Sequence, residues 1–140
     1  MSDALEKALG SLRYRDLSEA ELEQRLAMRG FAEHERGDAI ATLRRTGLLD
    51  DHRFAQGRAA SLAGRGAGDA LIRDALERAG VAPEIVDDAL EALEPEAERA
   101  RIIAERRGNG PKTARYLRGK GFSGETVAEL VASESPDELG

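Results

Sequence analysis

The tightest constraint on this chain is a phrase that it uses three times. "LEQRLAMRGF" (Leu22–Phe31), "LIRDALERAGV" (Leu71–Val81) and "ARYLRGKGF" (Ala114–Phe122) share one plan. Leu26, Leu76 and Leu117 each stand four residues before a glycine, Gly30, Gly80 or Gly121, and an apolar residue follows each glycine, Phe31, Val81 or Phe122. Ten residues past each glycine come Ile40, Leu90 and Val131. A glycine closing an apolar stretch of helical period stops the helix, because it accepts the left-handed backbone that other residues resist. The phrase recurs after about 50 and then about 41 residues, a period typical of helical arrays. One unit of that size buries too little apolar surface to stand alone, so neighbouring units are expected to stack.

The intervening residues carry helix punctuation of the same kind. Leu5, Ala8, Leu9 and Leu12 fall at helical spacing. Ser18 and Glu21 read as a capping box before Leu22 and Leu26. Ala39, Ile40 and Leu43 continue the period until Gly47 ends it, and Phe54, Ala55, Ala59 and Leu62 share one face after Asp50. Pro83, Pro95 and Pro111 each read as a first helical residue, where the missing N–H is tolerated. With three Phe, two Tyr and no Trp, the core falls to Ala and Leu, which suits close-packed helices. No stretch alternates as a strand would. The expected fold is therefore all-α, nine helices in three tandem three-helix repeats. The expected limits are 1–49, 50–94 and 95–134, with 135–140 a flexible tail.

Chemistry is scarce. The chain has no cysteine, which removes disulfides, thiolate metal sites and a cysteine nucleophile. His34 and His52 have no partner at ligand spacing. "RGAGD" (Arg65–Asp69) and "RGNGP" (Arg107–Pro111) follow no strand and lack the lysine of a phosphate loop, so they read as turns between helices. Neither an enzyme nor a cofactor or metal is expected. No run approaches the ~20 apolar residues that span a bilayer, which makes a soluble, cytoplasmic protein the expectation, and a monomer.

"GLLDDHRFA" (Gly47–Ala55) poses a sharper question. Adjacent aspartates could be an acid–base or metal pair, but neighbours on a helix point in different directions and converge poorly. The stretch is expected to be a structural motif of Gly47, Leu48, Leu49, Asp50, Asp51, Arg53 and Phe54. Asp50 or Asp51 accepts the free N–H groups at a helix start. Leu48 or Leu49 packs beside the entry turn, and Phe54 reaches the core.

Charge is distributed unevenly. Residues 66–98 carry ten acids and two bases, residues 99–122 eight bases and one acid, and residues 123–140 five acids and no base. Such blocks point to oriented binding of a charged partner. The basic block supplies the candidate partner-binding residues: Arg99, Arg101, Arg106, Arg107, Lys112, Arg115, Tyr116, Arg118 and Lys120. After Pro111, Lys112, Arg115 and Arg118 fall along one side of a helix with Tyr116 flanking Lys112, while Ala114 and Leu117 face the core. Cations with a ring beside them suit phosphates and a stacked base, and equally an acidic protein groove. A stand-alone DNA-binding module and a helical adaptor for another protein both remain open on these grounds.

These blocks together resemble the RecX family, bacterial regulatory proteins that modulate the RecA recombinase. "GLLDDHRFA" is similar to that family's most specific signature, and "ALGSLRYRDLSEAELEQRLAMRGF" (Ala8–Phe31) to its N-terminal block. "GRGAGDALIRDALERAGV" and "RYLRGKGF" are similar to its second and third repeats, so that the resemblance covers about residues 4–132. Asp69, Leu71 and Leu62 depart from the family pattern, which often has proline and arginine there, and Arg36 stands where the other units have Val86 and Val127. The resemblance implies an elongated, curved array that binds the RecA–single-stranded DNA filament, in its groove or at its growing end, with weak direct DNA binding at most. It implies reduced ATP hydrolysis, strand exchange and coprotease activity, in the setting of recombination, DNA repair and the SOS response.

Overall fold

The structure, a computed structural model, describes residues 1–134. The segment 135–140, expected as a tail, lies outside the described residues. Nine helices and no strand appear among the described residues: α1 (Asp3–Tyr14), α2 (Glu19–Met28), α3 (Glu33–Arg45), α4 (Asp51–Gly64), α5 (Asp69–Arg78), α6 (Pro83–Glu91), α7 (Glu96–Arg107), α8 (Pro111–Gly119) and α9 (Gly124–Glu134).

The repeated phrase is a repeated helix end. Gly30, Gly80 and Gly121 have φ of 90°, 80° and 93°. In each case the apolar residue after the glycine donates its N–H back to the carbonyl of the leucine: Phe31 to Leu26 at 3.3 Å, Val81 to Leu76 at 3.1 Å and Phe122 to Leu117 at 3.0 Å. This bond consumes a helix-end carbonyl and turns the apolar residue under the helix. Ser18 and Glu21 form the expected capping box. Pro83 and Pro111 occupy first helical positions, whereas Pro95 sits one residue earlier, as the N-cap of α7, and leaves the first position to Glu96.

Three separate cores follow the chain order. Leu17, Leu22, Leu26, Leu43 and Leu49 centre the first. Phe54, Ile72, Leu76, Val81 and Val86 centre the second. Ala100, Leu117, Phe122 and Val127 centre the third. All the heavily packed helix pairs lie inside one triplet, α1–α3, α4–α6 or α7–α9. The chain is thus a helical repeat array. One expected core position is different: Val131 is 46% exposed, because α9 turns Val127 inward.

The units join end to end. At the start of α5, Gly68 donates its N–H to the Lys120 carbonyl at 2.7 Å and Ala70 donates to Gly121 at 3.1 Å. At the start of α2, the Ser18 hydroxyl donates to the Ala79 carbonyl at 2.5 Å. The sequence α8, α5, α2 therefore runs head to tail, with orphan carbonyls of one helix facing the start of the next. The backbones approach closely. A Cβ on Gly80 would lie 2.4 Å from the Ala20 Cβ, and one on Gly68 2.3 Å from the Phe122 nitrogen.

Candidate functional site

The acidic pair in "GLLDD" divides its work between two helices. Asp50 is the N-cap of α4 and accepts the N–H of His52 at 2.9 Å and of Arg53 at 3.2 Å. Asp51 turns the other way and accepts the N–H of Glu19, the first residue of α2, at 2.8 Å. Burial pushes the Asp51 carboxyl above the usual aspartate range, opposed by that N–H. Leu49 is buried and Leu48 is 52% exposed, so Leu49 is the residue that packs at the entry turn. Phe54 is buried in the second core, and Arg53 donates to the carbonyls of Gly47 and Leu48 at 3.0 and 3.2 Å, closing the turn that Gly47 opens at φ 79°. No group of three or more His, Cys, Asp or Glu residues placed to hold a metal occurs among the described residues.

Glu96 repeats the Asp51 arrangement one unit on, and the charge pattern did not single it out. It accepts from the Asp69 N–H at 2.7 Å, from the Thr126 hydroxyl at 2.7 Å and from the Ser123 N–H at 3.2 Å. Burial opposes its charge, but these donors outweigh burial and hold the carboxyl below the usual glutamate range. An acid directly after Pro95 is the one sequence signal for this role.

The basic block separates into structural and available cations. Arg99, expected to face a partner, is spent inside the fold. Its side chain is 11% exposed and pairs with Asp69. It also donates to the carbonyls of Ala67 and Glu94 at 3.0 Å each and lies over the Phe122 ring at 5.8 Å. The Asp69 carboxylate and the two carbonyls together hold the guanidinium inward. Arg101 is exposed but held between Glu98 and Glu105, which raise its pKa through hydrogen bonding and charge. Tyr116 stands one helical turn after Lys112 on α8. It is half-buried against the third core, and the Arg107 guanidinium covers its ring at 3.6 Å, so the ring has no free face on that side for a base.

Arg106, Lys112, Arg115 and Arg118 are exposed, and none has an ion-pair partner among the described residues. On α8, Thr113 and Leu117 are buried on the opposite side from Lys112, Arg115 and Arg118. The packing of Leu117 thus aims the three cations at solvent. Lys120 is half-buried, its stem near Gly66 at the turn before α5. Beside this face, Arg65, Arg106, Arg107, Ile102 and Tyr116 line an open cleft between α4 and α7. The arrangement is an exposed basic face beside an open cleft.

Known proteins share this architecture. Residues 4–43 match the description "RecX, first three-helix domain", and residues 50–90 match "RecX, second three-helix domain". The chain belongs to the RecX family. A regulatory protein RecX from Halorhodospira halophila is 34% identical, over 95% of this chain and 89% of the relative. One from Chlorobaculum tepidum is 34% identical, over 93% and 87%. The RecX crystal structure from Lactobacillus salivarius superposes with a TM-score of 0.80 over 93% of both chains, and at 21% identity it speaks for the fold alone. A second crystal structure of a regulatory protein RecX gives a TM-score of 0.77 at 28% identity, over 94% of this chain and 72% of that one. Like these RecX relatives, the chain is a regulatory protein built as a helical array. No helix among the described residues is long and apolar enough to cross a membrane.

Proposed function

We propose that this chain is a negative modulator of a RecA recombinase and performs no chemistry itself. In this reading it binds the RecA–single-stranded DNA filament and lowers ATP hydrolysis, strand exchange and coprotease activity, restraining recombination and repair in the cytoplasm. The unit limits are taken as 1–49, 50–94 and 95–134. One observation carries the binding mode: a chain of the RecX regulatory family presents Arg106, Lys112, Arg115 and Arg118 exposed and without carboxylate partners among the described residues.

The filament is favoured over naked DNA as the target for an electrostatic reason. The basic stretch 99–122 lies in sequence between residues 66–98 and 123–140, both strongly acidic. Such flanks repel free phosphates but tolerate a composite surface in which protein groups share the contact. The test is fluorescence anisotropy against labelled single-stranded DNA, bare and coated with a cognate RecA plus a non-hydrolysable nucleotide. Strong binding to the coated strand and weak binding to the bare one is the expected result. Equal affinity for both makes the chain a plain DNA-binding module.

A further inference from the structure

Among the described residues, the junction that joins the units is sealed twice, and each of its two faces recurs once uncovered. Each seal has the same parts. A carboxylate on the first residue of a unit's leading helix accepts an N–H from the start of the preceding unit's middle helix: Asp51 takes Glu19 and Glu96 takes Asp69. The C-cap carbonyl of the middle helix accepts a second donor: Ala79 from the Ser18 hydroxyl, Lys120 from the Gly68 N–H. The following glycine, Gly80 or Gly121, lies against Ala20 or Leu71 at distances that leave no room for a Cβ.

On the first unit no described residue covers the corresponding surface. Asp3 is the first residue of α1, as Asp51 and Glu96 are of α4 and α7, though it stands one residue before the buried Ala4 where they stand four before the buried Ala55 and Ala100, and it is exposed with no bond to its carboxylate among the described residues. Arg29 is the C-cap of α2, the place of Ala79 and Lys120. Gly30 has the same left-handed backbone, with φ 90°, and open space where Gly80 and Gly121 meet a neighbour. Val81 and Phe122 are buried beside their junctions, whereas Phe31 at the same position is half-exposed.

The third unit carries the donating surface, which no described residue covers. Counted back from the buried leucines Leu26, Leu76 and Leu117, Glu19 and Asp69 correspond to Gly110, Ala20 and Ala70 to Pro111, and Ser18 and Gly68 to Asn109. All three residues are exposed. Gly110 has an N–H to give to a carboxylate. The Pro111 ring can take the place that the Ala20 methyl has on Gly80. The Asn109 amide can donate to a C-cap carbonyl as the Ser18 hydroxyl does.

We propose that the two open faces fit each other in different copies. The first unit of one chain, through Asp3, Arg29, Gly30 and Phe31, receives Asn109, Gly110 and Pro111 of a second copy in a head-to-tail contact that repeats the internal junction. The contact is heterologous, so copies add in open rows rather than closed rings. Charge favours the order of units, since the basic third unit meets the acidic start of α1, Asp3 and Glu6. Arg25 and Arg29 at the receiving end oppose it and keep the contact weak. Free chains therefore stay single at low concentration, and rows form where a common template brings copies together.

The test needs only the full chain, with no recombinase and no DNA, so its outcome is independent of the function proposed above. Amide nitrogen–proton spectra are recorded from about 20 μM to about 2 mM, a range that brackets weak association. The amides of Gly30, Phe31 and Gly110 should move with concentration, while those of Gly80 and Val81, sealed inside, hold still. Asp3→Lys should weaken the association about tenfold, the loss of one charge-assisted bond. Asn109→Glu, in an exposed turn far from any core, should do the same from the other side. Spectra that are independent of concentration, shifts confined to other surfaces, or association unchanged in both folded variants would each overturn the proposal.

Discussion

The Asp51 carboxylate accepts the Glu19 main-chain N–H at 2.8 Å and so fastens the start of α4 to the start of α2. Glu96 does the same for Asp69 at 2.7 Å, with two further donors from Ser123 and Thr126. The two fasteners titrate in opposite senses. The folded state holds Glu96 below its unfolded value, about 4.3. Its contribution is therefore complete above that pH and is lost as pH falls through the folded value. Asp51 is held above its unfolded value, about 3.9, so its contribution is present below that pH and is lost as pH rises through the folded value.

Two isosteric variants separate these effects. Glu96→Gln should destabilise the chain at pH 7 by about 1–2 kcal/mol, because charge-assisted bonds become neutral ones, and should flatten its loss of stability below about pH 4.5. Asp51→Asn keeps an oxygen for Glu19 and removes a half-buried charge, so stability at pH 7 should hold or rise. Urea unfolding at pH 7 and near pH 4 reads both. A large loss in Asp51→Asn at neutral pH would contradict the assignment of burial as the dominant influence on Asp51.

Glycine substitutions measure how tight the sealed junction is. Gly30→Ala meets open space and suffers only the left-handed backbone, about 1–2 kcal/mol. Gly80→Ala has the same φ cost and in addition drives a methyl against Ala20, so it should cost clearly more in thermal or urea melts. Equal losses in the two variants would mean that the α2–α5 contact yields readily.

Arg99 should behave as a core residue. Arg99→Ala removes the Asp69 pair, two carbonyl contacts and the cover over Phe122, and should cost about 2–4 kcal/mol. Arg99→Lys should recover only part of that, since a single ammonium cannot reach partners spread around a planar guanidinium. A melt of Arg99→Ala that matches the parent would return this residue to the binding face.

"GLLDD" should answer to packing and not to metal. Phe54→Ala should cost roughly 3–5 kcal/mol as a buried ring lost from the second core, and Asp50→Ala about 1 kcal/mol as a lost helix cap. Denaturation curves with and without a chelator check both points. An unchanged midpoint in Phe54→Ala, or a chelator effect that disappears with Asp50, would refute the structural reading.

Legibility in the sequence tracked the range of the interaction. The helix stops at Gly30, Gly80 and Gly121, the Ser18–Glu21 box and the inward Phe54 all rest on neighbours within a few residues, and periodicity reports such neighbours well. The Ser18 hydroxyl meets Ala79 across 61 residues, and Glu96 gathers donors from 27 and 30 residues away, where no local pattern reaches. Counting charges found the basic block but could not tell Arg99, consumed by Asp69, from Arg115, which is exposed without an ion-pair partner among the described residues. The cover over Tyr116 was illegible for the same reason: helical spacing placed the ring near Lys112 but could not show the Arg107 guanidinium from α7 lying over it.

The exposed cations should matter for binding and not for folding. Neutralising Lys112, Arg115 and Arg118 together should leave circular dichroism unchanged, as exposed substitutions shift stability by under about 0.5 kcal/mol each. Filament affinity should fall, with the salt slope reduced by up to about one unit for each phosphate contact removed. A triple variant that binds as tightly as the parent at both low and moderate salt would move recognition to the first two units.

The most direct measurement is the ATPase of a cognate RecA on single-stranded DNA with this chain titrated in, as parent and as the triple variant. Hydrolysis is predicted to fall at or below one chain per RecA for the parent and to need a large excess for the variant. Hydrolysis that stays at its full rate with the parent in large excess would contradict the proposed function at its centre.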